Sequence, residues 1–420
     1  MTRTPGKHAL LFIFITVLID VTGLGIIIPV IPQLIMELTG EGIARAAVFG
    51  GALMFLYSIV QFFAAPFVGS LSDRFGRRPV LLFSLLGFGI DYGLMGLAPS
   101  LAWLFLGRFL SGIFGATFTT ASAYIADVSP PEKRSANFGI LGAAFGLGFI
   151  IGPAMGGFLG EIGPRIPFFA AAALAFLNLI YGFFVLPETL SKAQRRPFDI
   201  RRANPLGSLL TLRAYPVVIG VAAALFLFQL GHYALPATWA YYAEAKFAWS
   251  PAEIGLSLMF VGLTGAAVQG GLTRVAIPAL GETRAVTLAF LISIVFYAGL
   301  AWATSGWMVY VLIAVGAVGG IGGPAMQGIL SNQVSNSQQG ELQGAIASLR
   351  SLAAIAGPLL MSTFLFGVFA GDDAPVYFPG APFLAAALLT LAALYPFLRT
   401  MRRAERAEPG PAPGDARAAE

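Results

Sequence analysis

Gly69–Pro79, GSLSDRFGRRP, sets three arginines and one aspartate between two apolar runs. AAVFGGALMFLYSIVQFFAAPFV (46–68) precedes it and VLLFSLLGFGIDYGLMGLA (80–98) follows it. Each flank has the length and character of a membrane span, which takes about 20 apolar residues to cross about 30 Å of hydrocarbon. The stretch therefore reads as a short basic turn between two spans.

Composition extends that reading to the whole chain. Of 420 residues, 57% are hydrophobic and 11% charged, with mean hydropathy +0.81. Soluble domains carry about 25% charged residues, so this chain has too few to coat a water-facing surface. The 51 glycines suit helices that pack closely without a hydrophobic force between them. With no cysteine there is no disulfide, thiol nucleophile or cysteine-based metal site. The basic N-terminus MTRTPGKHAL runs into an apolar stretch that continues past Pro29 and carries Asp20, which reads as a retained first helix rather than a cleaved signal.

Twelve spans are expected, near 9–34, 45–68, 79–98, 102–126, 136–160, 166–186, 214–237, 252–275, 284–304, 306–331, 342–368 and 379–400. With the N-terminus in the cytoplasm, only Arg45, Arg165 and Lys246 fall in outer loops, and only Arg108 and Arg350 inside spans. The rest of the 25 Lys and Arg lie on the cytoplasmic side. That bias is the positive-inside signature and puts both termini in the cytoplasm. It also accounts for the net charge of +5 without a nucleic-acid partner.

The one long polar interruption, 187–213, divides a first six-helix bundle (1–186) from a second (214–400), with a Pro/Ala/charge-rich tail (401–420) expected to be disordered. The halves echo each other: GPAMGG from Gly152 answers GPLL from Gly357, and Pro32 answers Pro236. Repeated halves are a common construction of secondary transporters. The expected fold is all-α, with twelve transmembrane helices in two pseudo-symmetric six-helix bundles.

Ionisable groups inside spans are costly and mark functional sites by default. Asp20 and Asp91 lie mid-span and Arg108 early in the fourth. A carboxylate buried near a cation suits a proton-coupled carrier, though Asp20 and Asp91 also read as polar bridges between helices. Asp127, at the end of the fourth span, reads as a structural partner of Arg134 or of the loop arginines. Arg350 either faces a cavity, balancing Asp20 or Asp91 or meeting an anionic substrate group, or snorkels to the cytoplasmic interface. Gln229 and His232 are polar groups of the seventh span, with His232 either a helix–helix hydrogen bonder or a proton carrier. Tyr233, Trp239, Tyr241 and Tyr242 read as a cavity wall or as an interfacial belt, the belt favoured for Tyr241 and Tyr242. Two histidines, no P-loop and no metal-ligand spacing exclude a visible catalytic set, and with it ATP-driven transport.

At these residues the chain resembles the major facilitator superfamily. Gly69, Asp73, Arg74, Gly76, Arg77 and Arg78 match its signature cytoplasmic loop. GFIIGPAMGG (148–157), with Gly148, Gly152, Pro153, Gly156 and Gly157, is similar to its antiporter motif. SDRFGRRPVLLFSLLGFGIDYGLMGLAPSLAWLFLGRFLSGIFGAT and GILGAAFGLGFIIGPAMGGFLGEIGPRIPFF further resemble bacterial tetracycline/proton antiporters. That likeness is dense over 10–190 and thinner afterwards, where LPATW, GPAMQG and LQGAIASLRSLAAIAGPLL still fit.

The resemblance implies a rocker-switch exporter of the bacterial inner membrane. It needs no cofactor, runs on the proton gradient, and has a small-molecule substrate, protons and the lipid bilayer as partners, with no obligate protein partner. It puts Asp20, Asp91 and Arg108 in the substrate and proton pathway and makes the glycine motif a seal on the cytoplasmic side. Asp73 is expected to gate, by pairing with cations or capping a helix across the two halves. The chain departs from the tetracycline exporters in its ninth helix, AVTLAFLISIVFYAGLAW, which lacks an acidic residue where Ser293 falls. An uptake permease for a sugar or organic acid, and a non-transporting sensor or scaffold, are the alternatives.

Overall fold

Hydrocarbon offers no water to an unpaired backbone N–H or C=O, which restricts spanning segments to helices and closed barrels. The computed structural model describes residues 7–115, 117–195, 216–335 and 338–407, and they are helical with no strand among them. The spans are α1 (Leu10–Thr39), α2 (Ile43–Phe75), α3 (Arg77–Gly96), α5 (Asn137–Gly160), α6 (Ile166–Val185), α7 (Val218–Phe247), α8 (Pro251–Leu280), α9 (Glu282–Trp302), α10 (Gly306–Ser331), α11 (Gln339–Phe369) and α12 (Ala381–Ala404). The fourth span, α4, is a broken pair, Leu101–Phe114 and Thr117–Val128.

Several boundaries move. α2 runs helically through Gly69 as far as Phe75, so the basic stretch is not an extended turn. The reversal occurs at Gly76 alone, whose φ of 108° is open to glycine and strained for other residues. Gly69 makes no turn; it sits inside α2, where its carbonyl accepts the Ser72 hydroxyl at 2.8 Å. α7 extends to Phe247, ten residues past the expected end, because the aromatic run after Pro236 is buried rather than interfacial. The last helix continues to Ala407 on alanine and arginine, both strong helix formers, so 401–407 are ordered; 408–420 lie outside the described residues. Of the expected linker, 196–213 likewise lie outside them.

The chain packs as two bundles with related turns. The spacing that relates Gly152 to Gly357 also relates Gly76 to Gly281, and both turn glycines have positive φ (108° and 75°) with ψ near-extended (160° and 158°). It relates Arg77 to Glu282 and Asp127 to Asn332 as well. In the first bundle Arg77 pairs with Asp127 at 3.1 Å, and in the second the Asn332 amide reaches Glu282 at 3.5 Å. The same side-chain brace is thus an ion pair in one half and a weaker amide contact in the other.

The glycines of α5 form the closest packing. A Cβ on Gly152 would lie 2.6 Å from the Thr22 carbonyl oxygen, and one on Gly148 would lie 2.8 Å from Cβ of Val21. One on Gly156 would fall on the Ile26 carbonyl, so three of the four motif glycines seat α5 on α1. Pro153 Cδ in turn approaches Gly25. Gly157 faces the other way, where a Cβ would meet the Pro251 carbonyl oxygen at 2.5 Å, and Gly255 of α8 is closed in by the Pro153 carbonyl. The motif therefore packs within the first bundle and also across to the second.

Contacts between bundles gather on the face away from the Gly76 and Gly281 turns. Ser362 and Thr363 lie in a π-helical stretch of α11, Leu359–Phe366, and their hydroxyls donate to the carbonyls of Ala47 (2.7 Å) and Val48 (3.2 Å) on α2. At the end of α5, Glu161 accepts the backbone N–H of Ala252 at 3.0 Å and the Ser250 hydroxyl. A carboxylate from one bundle thus caps the N-terminus of α8 in the other, where the helix dipole favours negative charge. Gly157 closes on Pro251, the first residue of α8, at this same far face.

Those two donors hold the exposed Glu161 carboxyl below the ordinary glutamate range. The tie is complete at neutral pH and is lost as pH falls through that lowered value. Glu161→Gln is expected to shift the population toward separated α5 and α8 ends about two- to fivefold at neutral pH, the range of an exposed charge–dipole contact. It also removes the acid dependence. Spin-label distances between those ends, measured against pH, check both.

Candidate functional site

Asp91 is fully buried on α3, and its Oδ2 accepts the Ser111 hydroxyl from α4. Its Oδ1 has no hydrogen-bond partner. Gly107 makes this approach possible, since a Cβ there would lie 2.7 Å from Oδ1. Arg108, the next residue, is half-buried and interacts electrostatically with Asp91 and with the hydroxyls of Tyr57, Tyr92 and Tyr241. A carboxylate with an open acceptor position beside a cation is equipped to receive a proton.

Asp20 lies on α1, half-buried, and is hydrogen-bonded by the Asn178 amide from α6. Asn178 also donates to the Thr16 carbonyl at 3.1 Å, which locks α6 to α1 one turn before Asp20. Tyr57 and Tyr92 both feel the charge of Asp20 as well as that of Asp91, so the two acids share one electrostatic neighbourhood. Gln61 donates to Tyr57 at 2.9 Å and to the Gly115 carbonyl at 3.1 Å, bridging α2 to the break in α4.

Tyr57, Gln61, Tyr92, Ser111 and Asn178 escaped the sequence reading. Neutral polar side chains are common in membrane helices, and nothing in their spacing separates them from helix–helix hydrogen bonders. The aromatic belt is corrected: Trp239, Tyr241 and Tyr242 are at most 3% exposed. Trp239 donates to Ser257 at 2.9 Å and Tyr242 to the Leu300 carbonyl, which anchors α7 on α8 and α9. These aromatics belong to the buried core shared by α7 and its neighbouring helices.

The second bundle holds a separate polar group. His232 Nδ1 lies 3.0 Å from the Tyr297 hydroxyl of α9, and its ring stacks on Phe228. Gln229 and Arg350 line one cleft together with Gln327. The described ion pairs are those of Arg77, Arg165 and Arg195, and none joins Arg350 to Asp20 or Asp91. Among the described residues no group of three His, Asp or Glu could hold a metal ion.

At the Gly76 turn, Arg77 is the hub. Its guanidinium bonds Asp73 at 2.6 Å, Ser72 at 2.6 Å and Asp127 at 3.1 Å, and its backbone N–H donates to Glu188 at 2.9 Å. Arg78 donates to the Phe183 carbonyl at 2.6 Å, and Arg74 lies over the Phe75 ring. Asp73 is therefore engaged by a cation of its own bundle, and no bond from it to the second bundle exists among the described residues. Asp127 is a structural partner of a loop arginine, as its position suggested.

Comparison with known proteins places this geometry. The description Major Facilitator Superfamily matches residues 13–358. The chain is 42% identical over 358 residues to the class C tetracycline resistance protein of Escherichia coli, covering 85% of this chain and 89% of that one. It is 40% identical over 360 residues to the class G tetracycline resistance protein of Vibrio anguillarum, covering 84% and 89%. A solved bacterial homolog of the human lysosomal transporter Spinster, inward-facing and unoccupied, shares the fold with a TM-score of 0.73 at 17% identity, covering 97% of this chain and 99% of that one. With the family description spanning most of the chain and close relatives covered nearly end to end, this twelve-helix membrane protein belongs to the major facilitator superfamily and is a transporter rather than an enzyme.

Proposed function

We propose that the chain is a proton-driven exporter of amphiphilic drugs, with tetracyclines the first substrate to test. The observation that carries this reading is the buried Asp91, with one oxygen free and Arg108 beside it, in the same neighbourhood as Asp20. Relatives at 40–42% identity are tetracycline resistance proteins, which favours export of such a drug over uptake of a metabolite. The protein sits in the bacterial inner membrane with both termini in the cytoplasm. It requires no cofactor, because the proton gradient supplies the energy.

In this mechanism Asp20 and Asp91 take up protons from outside and release them inside, and Arg108 stabilises their charged forms. A carboxylate that gains a proton no longer attracts Arg108, so protonation changes the balance between the two bundle arrangements. The contacts across α2–α11 and α5–α8 close the outer face, which makes the described arrangement open toward the cytoplasm. Substrate enters from that side between the bundles, where Gln229 and His232 of α7 offer polar contacts. Gly157 and Pro153 of the α5 motif provide the close contact with α8 along which the bundles rock. Asp73 and the arginines of the Gly76 turn act when the cytoplasmic ends come together.

Inverted membrane vesicles energised with a proton gradient are expected to accumulate tetracycline, and Asp20→Asn and Asp91→Asn each to reduce that uptake to the level of vesicles lacking the protein. Gradient-driven movement in the opposite sense would mean an uptake permease, and wild-type tetracycline uptake with both variants intact would remove the two acids from the pathway. Asp73→Asn is expected to slow transport while equilibrium drug binding stays at its wild-type value. Correct insertion of each variant is verified by its abundance in the membrane fraction.

A further inference from the structure

A cleft opens between α7 and α10, floored by Phe290 of α9. Its walls are mostly apolar, with Leu225 and Phe228 from α7 and Met326 from α10, and three polar side chains break that surface: Gln229, Gln327 and Arg350. Among the described residues, no acidic side chain lines it. Arg350 is exposed, and no carboxylate lies within ion-pair distance of it among the described residues.

A guanidinium on a spanning segment is costly without a counter-charge. Asp20 is engaged by Asn178, and Asp91 by Ser111 and Arg108. Glu282, at the start of α9, leans on Gly328 and Asn332 at the far end of α10. The counter-charge for Arg350 is therefore not supplied from within the described chain. Arginine binds a carboxylate through two parallel N–H bonds, and amide groups on either side can fill the remaining acceptor positions. Phe228, half-buried, offers aromatic surface next to those donors, and the buried Phe290 packs behind it at 5.2 Å, centroid to centroid.

We propose that this cleft is the subsite for an anionic group of the transported molecule. Arg350 binds a carboxylate, Gln229 and Gln327 donate to it, and an aromatic body packs on Phe228. The inference rests on the exporter reading above and narrows it. The preferred cargo is an aromatic amphiphile carrying a carboxylate, and a cationic drug or cationic metal–drug chelate is disfavoured at this wall.

The test uses the purified full chain in phosphatidylcholine nanodiscs and two dyes with the same xanthene body, anionic fluorescein and cationic rhodamine 6G. Binding is read by fluorescence anisotropy. Wild type is expected to bind fluorescein more tightly than rhodamine 6G. Arg350→Gln should weaken fluorescein about tenfold or more, the worth of a charge-assisted hydrogen bond, while rhodamine 6G gains affinity. Arg350→Lys should fall between, since it keeps the charge and loses the fork.

Equal affinity for the two dyes, or unchanged fluorescein binding by Arg350→Gln, would overturn the proposal. So would displacement of fluorescein by phosphatidylglycerol added to the nanodiscs, because the cleft would then be a lipid-headgroup site. The exporter reading fails separately. If inverted vesicles show no proton-driven transport while fluorescein binding still depends on Arg350, the subsite stands without it. If tetracycline is exported and fluorescein binding ignores Arg350, the subsite is wrong and the exporter remains.

Discussion

Along α5, Gly148, Gly152 and Gly156 present no side chain to α1, and the two backbones approach until a single added carbon would strike a carbonyl or a neighbouring side chain. Lipid supplies no hydrophobic force between helices, so such close contact is what holds them together in the membrane. Much else depends on it. Val21, which touches Gly148, immediately follows Asp20, so the register of the seam sets the depth of that acid. Gly157 and Pro153 turn the opposite side of α5 toward α8, so one helix is shared between the internal packing of the first bundle and the junction with the second.

That sharing gives the molecule two unlike faces. On one, hydroxyls of α11 donate to α2 carbonyls and Glu161 caps α8, and these bonds cross between bundles. On the other, Arg77 gathers Ser72, Asp73 and Asp127 from its own bundle and Glu188 from the start of the linker. A carrier needs this inequality, since interfaces and packed cores are bistable and both faces cannot be tied at once. The repeat adds a second inequality, because the ion pair of the first bundle is replaced by the Glu282–Asn332 contact. The first bundle is therefore braced by charge at its α3–α4 end where the second is not.

The polar interior is divided along the same line. Asp20, Asp91 and Arg108 lie in the first bundle with a ring of tyrosine hydroxyls around them, and Arg350 lies in the second among glutamines and phenylalanines. Tyr241 of the second bundle feels the charge of Arg108 in the first, so the two bundles are linked electrostatically.

Hydrophobic length and the distribution of arginine determined from the sequence alone that the chain crosses the membrane twelve times in two related halves. Both signals are one-dimensional: a span is a run of residues, and a basic loop is a neighbour of its ends. The same logic picked out Asp20, Asp91, Arg108 and Arg350, because a charge inside an apolar run is visible without knowing what it faces. Tertiary structure decided the partners. That Gly76 alone makes the turn, that Asp73 binds Arg77, that Tyr241 and Tyr242 are buried, and that Asn178 and Ser111 serve the two acids all follow from which helices meet. Helix contact in lipid is set by small residues and neutral polar groups, which look alike along the chain and differ only in what lies opposite them.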